Sequence, residues 1–352
     1  MAGTDEQPRG RRRLRYRGTH PRRFEEKYKE LNPDLYPDEL EKVIGRGQTP
    51  AGTHRPICLR EVVRLLDPHP GEVGLDATLG YGGHAQEILR HLEPAGRLFA
   101  IDVDPIELPR TEKRLRALGF GPDRLQIRRL SFAGIAGLLP EAGGPFAFAL
   151  ADLGVSSMQL DDPKRGFTYR LDGPLDLRFN PGRGRPASAL LADLSEDELA
   201  ALLEAGADEP RARDLARAIH GQTVATTRQL AAIVHRVLTT GAAPAPPAAA
   251  ETRQSLQRVF QALRLAVNDE LRALQRFLEL LPTCLEPGGR AAILAFHSGE
   301  DRLVKRAFLS GFREGIYEDI ASEPLRPTAE ERRSNPRAAS AKLRWALRAS
   351  GA

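Results

Sequence analysis

Between residues 71 and 153 the chain alternates short apolar runs with segments of helical spacing, and few folds accept that pattern. Residues 72–78 (EVGLDAT), 97–104 (RLFAIDVD), 124–131 and 145–152 read as strands. Residues 84–92, 105–118 and a short stretch at 133–139 read as the helices between them. Pro105 falls in the first turn of the second helix, where a missing N–H costs nothing. Such an alternation predicts a parallel sheet covered on both faces, because each right-handed crossover lays its helix back on the sheet. The pattern then stops. Residues 157–250 read as turns followed by helices, such as 196–204 and 210–220, and close in an Ala/Pro stretch (239–250) that reads as a mobile linker. Apolar residues at three- and four-residue steps, from Leu256 to Leu281, predict helix over 251–281. Residues 290–296 and 342–348 read as further strands, with a helix at 301–309 between them.

The expected organisation is an N-terminal extension (1–50), a first part of the main domain (51–156), a helical insert (157–250) and a second part of the main domain (251–352). A chain of 352 residues with 41% hydrophobic content can build that much core, which excludes global disorder. It has no run of about 18 apolar residues, which excludes a spanning helix. Cys58 and Cys284 stand far apart with no Cys/His spacing near them, which argues against a disulfide framework and against a metal site. The net charge of +5 belongs to one segment: residues 1–23 hold eight arginines against Asp5 and Glu6. There is no apolar stretch in that arm, and the first serine is Ser131, so it resembles neither a secretory nor a transit signal. A cytoplasmic protein is expected, with RNA contact and a solvated tail equally open for the arm.

The segment richest in chemistry is Asp76-Ala-Thr-Leu-Gly80-Tyr-Gly82-Gly83-His84, where a strand gives way to a glycine turn and then a helix. Glycines let backbone approach a ligand and present N–H donors at a helix start. Asp102 ends the next strand, 20 residues after Gly82, where a carboxylate can hold a ribose. Gly80-x-Gly82-x-x-Ala85 satisfies a permissive dinucleotide fingerprint. S-adenosylmethionine fits better: Asp76 closes the first strand, Asp152 the fourth, and no hydride-transfer constellation is evident.

These residues bring a family into view. The chain resembles the ribosomal small-subunit RNA cytosine-N4-methyltransferases, whose bacterial members act in the decoding region. The blocks are His54-Arg55-Pro56, residues 76–84, DLGVSSMQLDD (152–162), RGF (165–167), DGPLDLR (172–178), VFQALRLAVNDEL (259–271), AFHSGEDRLVK (295–305) and Asn335-Pro336-Arg337. The resemblance implies an α/β fold: a Rossmann-like class I methyltransferase sheet with an inserted, mostly helical domain. It implies that Gly82, Gly83 and His84 contact S-adenosylmethionine, that Asp102 holds its ribose, that Phe132 packs near its adenine, and that Asp152 and Gln159 complete the pocket. Asp152 is expected to orient the target cytosine, with Ser156 and Ser157 as further hydrogen-bonding groups. His297 is a further candidate, with a role at a strand end as the alternative.

Expected partners are ribosomal RNA and the small ribosomal subunit, with a homodimer permitted and neither membrane nor metal involved. Tyr81, Met158 and Gly299 depart from the family pattern, and Asp152-Leu-Gly-Val replaces the Pro-Pro-aromatic motif of many amino methyltransferases. Two other readings stay open: a nicotinamide-dependent oxidoreductase, and a non-catalytic RNA-binding or ribosome assembly factor that keeps the fold.

Overall fold

The computed structural model describes residues 56–240 and 249–351; the extension at 1–50, with its arginine cluster, and residues 241–248 of the Ala/Pro stretch lie outside the described residues. The first half runs α1 (Leu59–Leu66), β1 (Val73–Asp76), α2 (Gly83–His91), β2 (Arg97–Asp102), α3 (Glu107–Ala117), β3 (Leu125–Arg129), a 3-10 segment (Phe132–Leu138), α4 (Leu139–Ala142) and β4 (Phe146–Asp152). After a short α5 (Ser157–Asp161) come the helices α6 (Ala187–Asp193), α7 (Glu196–Ala207), α8 (Ala212–Ile219), α9 (Thr227–Thr240) and α10 (Ala249–Asn268). The chain returns through α11 (Glu270–Cys284) to β5 (Leu285–Ala295), α12 (Ser298–Arg313), β6 (Tyr317–Ile320), α13 (Ala329–Ser334) and β7 (Lys342–Arg348).

The seven strands form one sheet in the order β3-β2-β1-β4-β5-β7-β6. The first five are parallel, and β7 runs antiparallel to both β5 and β6. Side chains alternate between the two faces, as a period of two requires. On one face lie Phe99, Ile101, Ala291 and Ile293; on the other lie Leu98, Ala100, Ala292 and Leu294. Both faces are covered by helices, so the strands read as nearly continuous apolar runs.

A third apolar cluster belongs to the helices that follow β4. Leu191, Leu203, Leu215, Ile219, Leu230 and Val234 pack there with Val259 and Leu263 of α10. This core therefore takes in residues beyond position 250.

Three features differ from the sequence reading. The helical stretch read over 251–281 is two helices, because Asp269 adopts φ 51, a left-handed conformation that ends α10. Asn268 holds the break: its Nδ2 donates to the Leu177 carbonyl at 2.7 Å, and its Oδ1 accepts from Phe179 N at 2.7 Å. Thr239 belongs to α9 and not to a linker. The strand β6 gave no apolar signal because it is a sheet edge whose Glu318 and Asp319 face solvent; charges there discourage pairing with another chain.

Candidate active site

In an open parallel sheet, ligands bind outside the carboxyl ends of the strands where the strand order reverses, and here that place lies between β1 and β4. β1, β2 and β4 end in Asp76, Asp102 and Asp152. The pattern of apolar runs ending in carboxylates thus delivers three acids to one edge of the sheet.

The glycine turn rises from β1. Gly80 and Gly82 have φ values of 50° and 76°, a region that favours glycine. Gly80 N donates to Asp102 Oδ2 at 2.8 Å, and the Thr111 hydroxyl donates to Gly80 O at 2.6 Å. A Cβ at Gly80 would meet only Thr78 O at 3.8 Å and Ser156 Cβ at 4.0 Å, so the turn borders a cradle shared with Ser156. Gly83 is different: a Cβ there would lie 2.4 Å from Pro56 Cγ. Its missing side chain admits the Pro56 ring, and only its backbone remains to meet a ligand.

Asp102 spends two of its acceptor sites on Gly80 N and on Asp104 N (3.0 Å). A carboxylate has about four such sites, so acceptor capacity remains for a ribose hydroxyl. Burial raises its pKa, against the pull of the Asp104, Gly80 and Val103 amides. Asp76 is 1% exposed, and burial pushes its pKa up to about 7, opposed by the Thr78 amide and helped by Asp102. Asp152 reaches about 8, driven first by burial and then by Asp76 and Glu300. Its backbone is clamped, since Asp152 N donates to Thr78 Oγ1 at 2.6 Å.

His84 is buried beside it. Nε2 faces the Ile57 carbonyl at 3.0 Å, which can only accept, so Nε2 carries the proton. Nδ1 stands 3.6 Å from Asp152 Oδ2. Burial lowers the imidazole pKa to about 4. At neutral pH the pair is therefore a neutral imidazole facing a neutral carboxylic acid, and His84 supplies no positive charge to offset the three acids.

The remaining residues flagged in the sequence occupy distinct positions. Ser156 caps α5, accepting from Gln159 N at 3.2 Å, while Ser157 begins that helix with its hydroxyl free of any described partner. Gln159 is buried with both amide atoms engaged: Oε1 accepts from Ser156 N at 2.8 Å, and Nε2 donates to Asp104 Oδ2 at 2.7 Å. Phe132 is half-buried and meets Phe277 edge-on, ring centroids 5.6 Å apart. His297 caps α12: its Nδ1 accepts from Glu300 N at 3.3 Å, while Glu300 accepts from Phe296 N at 2.8 Å. Glu300 is buried, yet His297 and Arg264 hold its pKa below the ordinary value, so it adds a negative charge behind Asp152.

The residue missed in the sequence is Asp104. It is 1% exposed and pairs with Arg165, itself 4% exposed, at 2.8 Å. It also accepts from Ile106 N and Glu107 N (2.8 and 3.1 Å), capping α3. Asp followed by Pro at a helix start is a capping signal and could have revealed that second task.

Among the described residues no cluster of His, Cys, Asp and Glu could hold a metal ion, and no helix is long and apolar enough to cross a membrane.

Comparison with known proteins places the chain in a family. A model of the MraW methylase family matches residues 51–349. The chain is 53% identical over 343 residues to the ribosomal RNA small subunit methyltransferase H 2 of Alkaliphilus metalliredigens, covering 96% of this chain and 97% of that protein. It is 40% identical over 298 residues to the ribosomal RNA small subunit methyltransferase H of Acidobacterium capsulatum, covering 83% of this chain and 97% of that one, so this chain is the longer. A solved SAM-dependent O-methyltransferase of Thermotoga maritima aligns at TM-score 0.40 and 10% identity, over 90% of this chain and 74% of that one. With a model match over nearly its whole described length and relatives well above the threshold of chance likeness, this chain is a member of the MraW methylase family.

Proposed function

We propose that this methylase transfers a methyl group from S-adenosylmethionine to N4 of a cytosine in the decoding region of small-subunit ribosomal RNA, and that it does so in the cytoplasm. The observation that carries the reading is the set of strand-end carboxylates, Asp76, Asp102 and Asp152, around the glycine turn. Among the described residues no arginine or lysine pairs with any of the three, so nothing there would offset the charge of a pyrophosphate, while a cationic ligand would favour their ionised forms. That argues against the nicotinamide reading.

Bound in the cradle, S-adenosylmethionine supplies an electrophilic methyl on a sulfonium. Asp102 would accept from a ribose hydroxyl with the acceptor capacity its amide partners leave. The Gly83 backbone N–H would meet the amino-acid end, since the Gly82 N–H is given to the Leu79 carbonyl at 2.6 Å, and His84 would form the wall beside Asp152. Phe132 borders the adenine, and Gln159 holds that side of the pocket through Asp104. A cytosine amine is a poor nucleophile, because its lone pair is delocalised into the ring. Asp152 accepts a hydrogen bond from that amine, localises the lone pair and receives the proton, with Ser157 and Ser156 orienting the base. Alignment of the reactants removes roughly 7–11 kcal/mol of barrier, and the base adds about 10²–10⁴-fold. The helical cluster is the substrate-recognition part in this reading.

The test is mass mapping of small-subunit particles from a strain lacking the enzyme, after incubation with the purified chain and S-adenosylmethionine. A new N4-methylcytidine is expected; no added methyl on any cytosine would refute the proposal.

A pH dependence follows. The sulfonium stabilises ionised Asp152, so binding must expel the proton that the free protein holds below about pH 8. Affinity for S-adenosylmethionine is expected to rise as pH climbs from 6 to 8, by up to about tenfold per unit, and then to level off. S-adenosylhomocysteine has no sulfonium charge and should show a smaller rise, limited to what its ammonium group draws from Asp76. Calorimetry in buffers of different ionisation heat checks both, and parallel pH profiles for the two ligands would contradict the assignment.

A further inference from the structure

The helical cluster carries a cavity of about 680 Å³, lined by Tyr169, Arg170, His235, Thr239, Thr252, Arg253 and Leu256. Its walls are two helices and a loop. His235 and Thr239 are four residues apart on α9, and Thr252 and Leu256 four apart on α10, so each pair shares one helix face. The loop supplies Tyr169 and Arg170.

No carboxylate lines the cavity. Arg170, His235 and Arg253 are exposed, and none has an acidic partner among the described residues. In the same region Arg178 is paired with Asp176 at 2.7 Å, Arg211 with Asp214 at 2.6 Å and Arg217 with Glu196 at 3.3 Å, while Arg183, Arg213, Arg228 and Arg258, like Arg170 and Arg253, have no ion pair among the described residues. What sets Arg170, His235 and Arg253 apart is that they surround one concavity with no carboxylate in its lining, an arrangement that suits an anion from outside. Tyr169 makes the site more than a phosphate trap. Its ring is braced by Phe260, centroids 5.6 Å apart, and stays half-exposed toward the cavity. A braced aromatic beside arginines is how proteins hold single-stranded nucleic acid, bases on the ring and phosphates on the guanidinium forks.

Position links the cavity to the methyl-transfer site. Tyr169 stands four residues after Arg165, which is bound to Asp104 just beyond β2. Four residues span at most about 14 Å, a distance a few nucleotides can bridge. We propose that this cavity is a second RNA site, which grips the strand flanking the target with its phosphates on Arg170 and Arg253 and a base on Tyr169. It rests on the ribosomal RNA reading above.

The test uses the full chain with small-subunit particles and a fluorescent single-stranded RNA, titrated over a range of salt. For Arg170→Gln with Arg253→Gln, the log–log salt slope is expected to become shallower by about 1 to 2, with KM for particles raised about tenfold. Tyr169→Leu should weaken RNA binding about tenfold and leave the slope unchanged. Affinity for S-adenosylmethionine should stay as in wild type in both variants, and the melting temperature in the arginine variant. A control pair on α12, Arg306→Gln with Arg313→Gln, should leave the slope in place. An unchanged slope in the cavity variant overturns the site, as does an equal change in the control pair. If the wild-type chain neither binds RNA nor methylates particles, the ribosomal reading itself fails and the cavity's role with it.

Discussion

Replacing Asp152 with alanine is expected to slow methyl transfer by about 10²–10⁴-fold, the range for a lost general base. Single-turnover incorporation of labelled methyl into small-subunit particles measures it directly. The fold should survive, since the carboxyl is 29% exposed and its burial beside Asp76 and Glu300 is unfavourable in the ionised form. Asp152→Asn separates shape from charge: it keeps the outline, loses the proton acceptor, and should keep only the part of the pH 6 to 8 rise that comes from Asp76. A strain lacking the enzyme but fully rescued by the alanine variant would instead point to the assembly-factor reading, in which the fold binds RNA without chemistry.

The largest stability effect is expected at Arg165. Its guanidinium donates to Asp104 Oδ2 at 2.8 Å and to the carbonyls of Arg178 and Phe179 at 3.1 and 2.9 Å. One side chain thus ties the end of β2 to the loop that leads into the helical cluster. Arg165→Ala strands the Asp104 carboxylate in a buried position and should cost about 3–5 kcal/mol of unfolding free energy. Urea denaturation reads the loss. Arg165→Ala combined with Asp104→Asn removes the stranded charge while leaving the volume vacated, and should recover much of the loss. If that double variant is no more stable than the single one, the loss comes from the vacated volume and not from the unpaired charge.

The parallel half of the sheet was legible because its strands are buried on both faces, which leaves unbroken apolar runs in the sequence. The strand ends were legible for the same reason: Asp76, Asp102 and Asp152 are where each run stops. The carboxyl edge of the sheet could therefore be located from the sequence, although the contacts made there could not. Gln159 and Arg165 reach Asp104 across 55 and 61 residues, and no local pattern announces such a meeting. The glycine motif also hid a packing demand, since a Cβ at Gly83 would meet Pro56, 27 positions earlier. The break between α10 and α11 was hidden because the apolar spacing runs on through Asn268 and Asp269, whose side chains and backbone do the breaking.

The placement of the helices between β4 and β5 has a consequence for synthesis. These two strands are neighbours in the sheet, yet one leaves the ribosome more than 100 residues (roughly) before the other. Until β5 emerges, the nascent chain shows β4, the most apolar strand, as an open edge ready to pair with the wrong neighbour. Glu300 follows β5, so its share in raising the Asp152 pKa, behind those of burial and Asp76, is added only after that strand has been made.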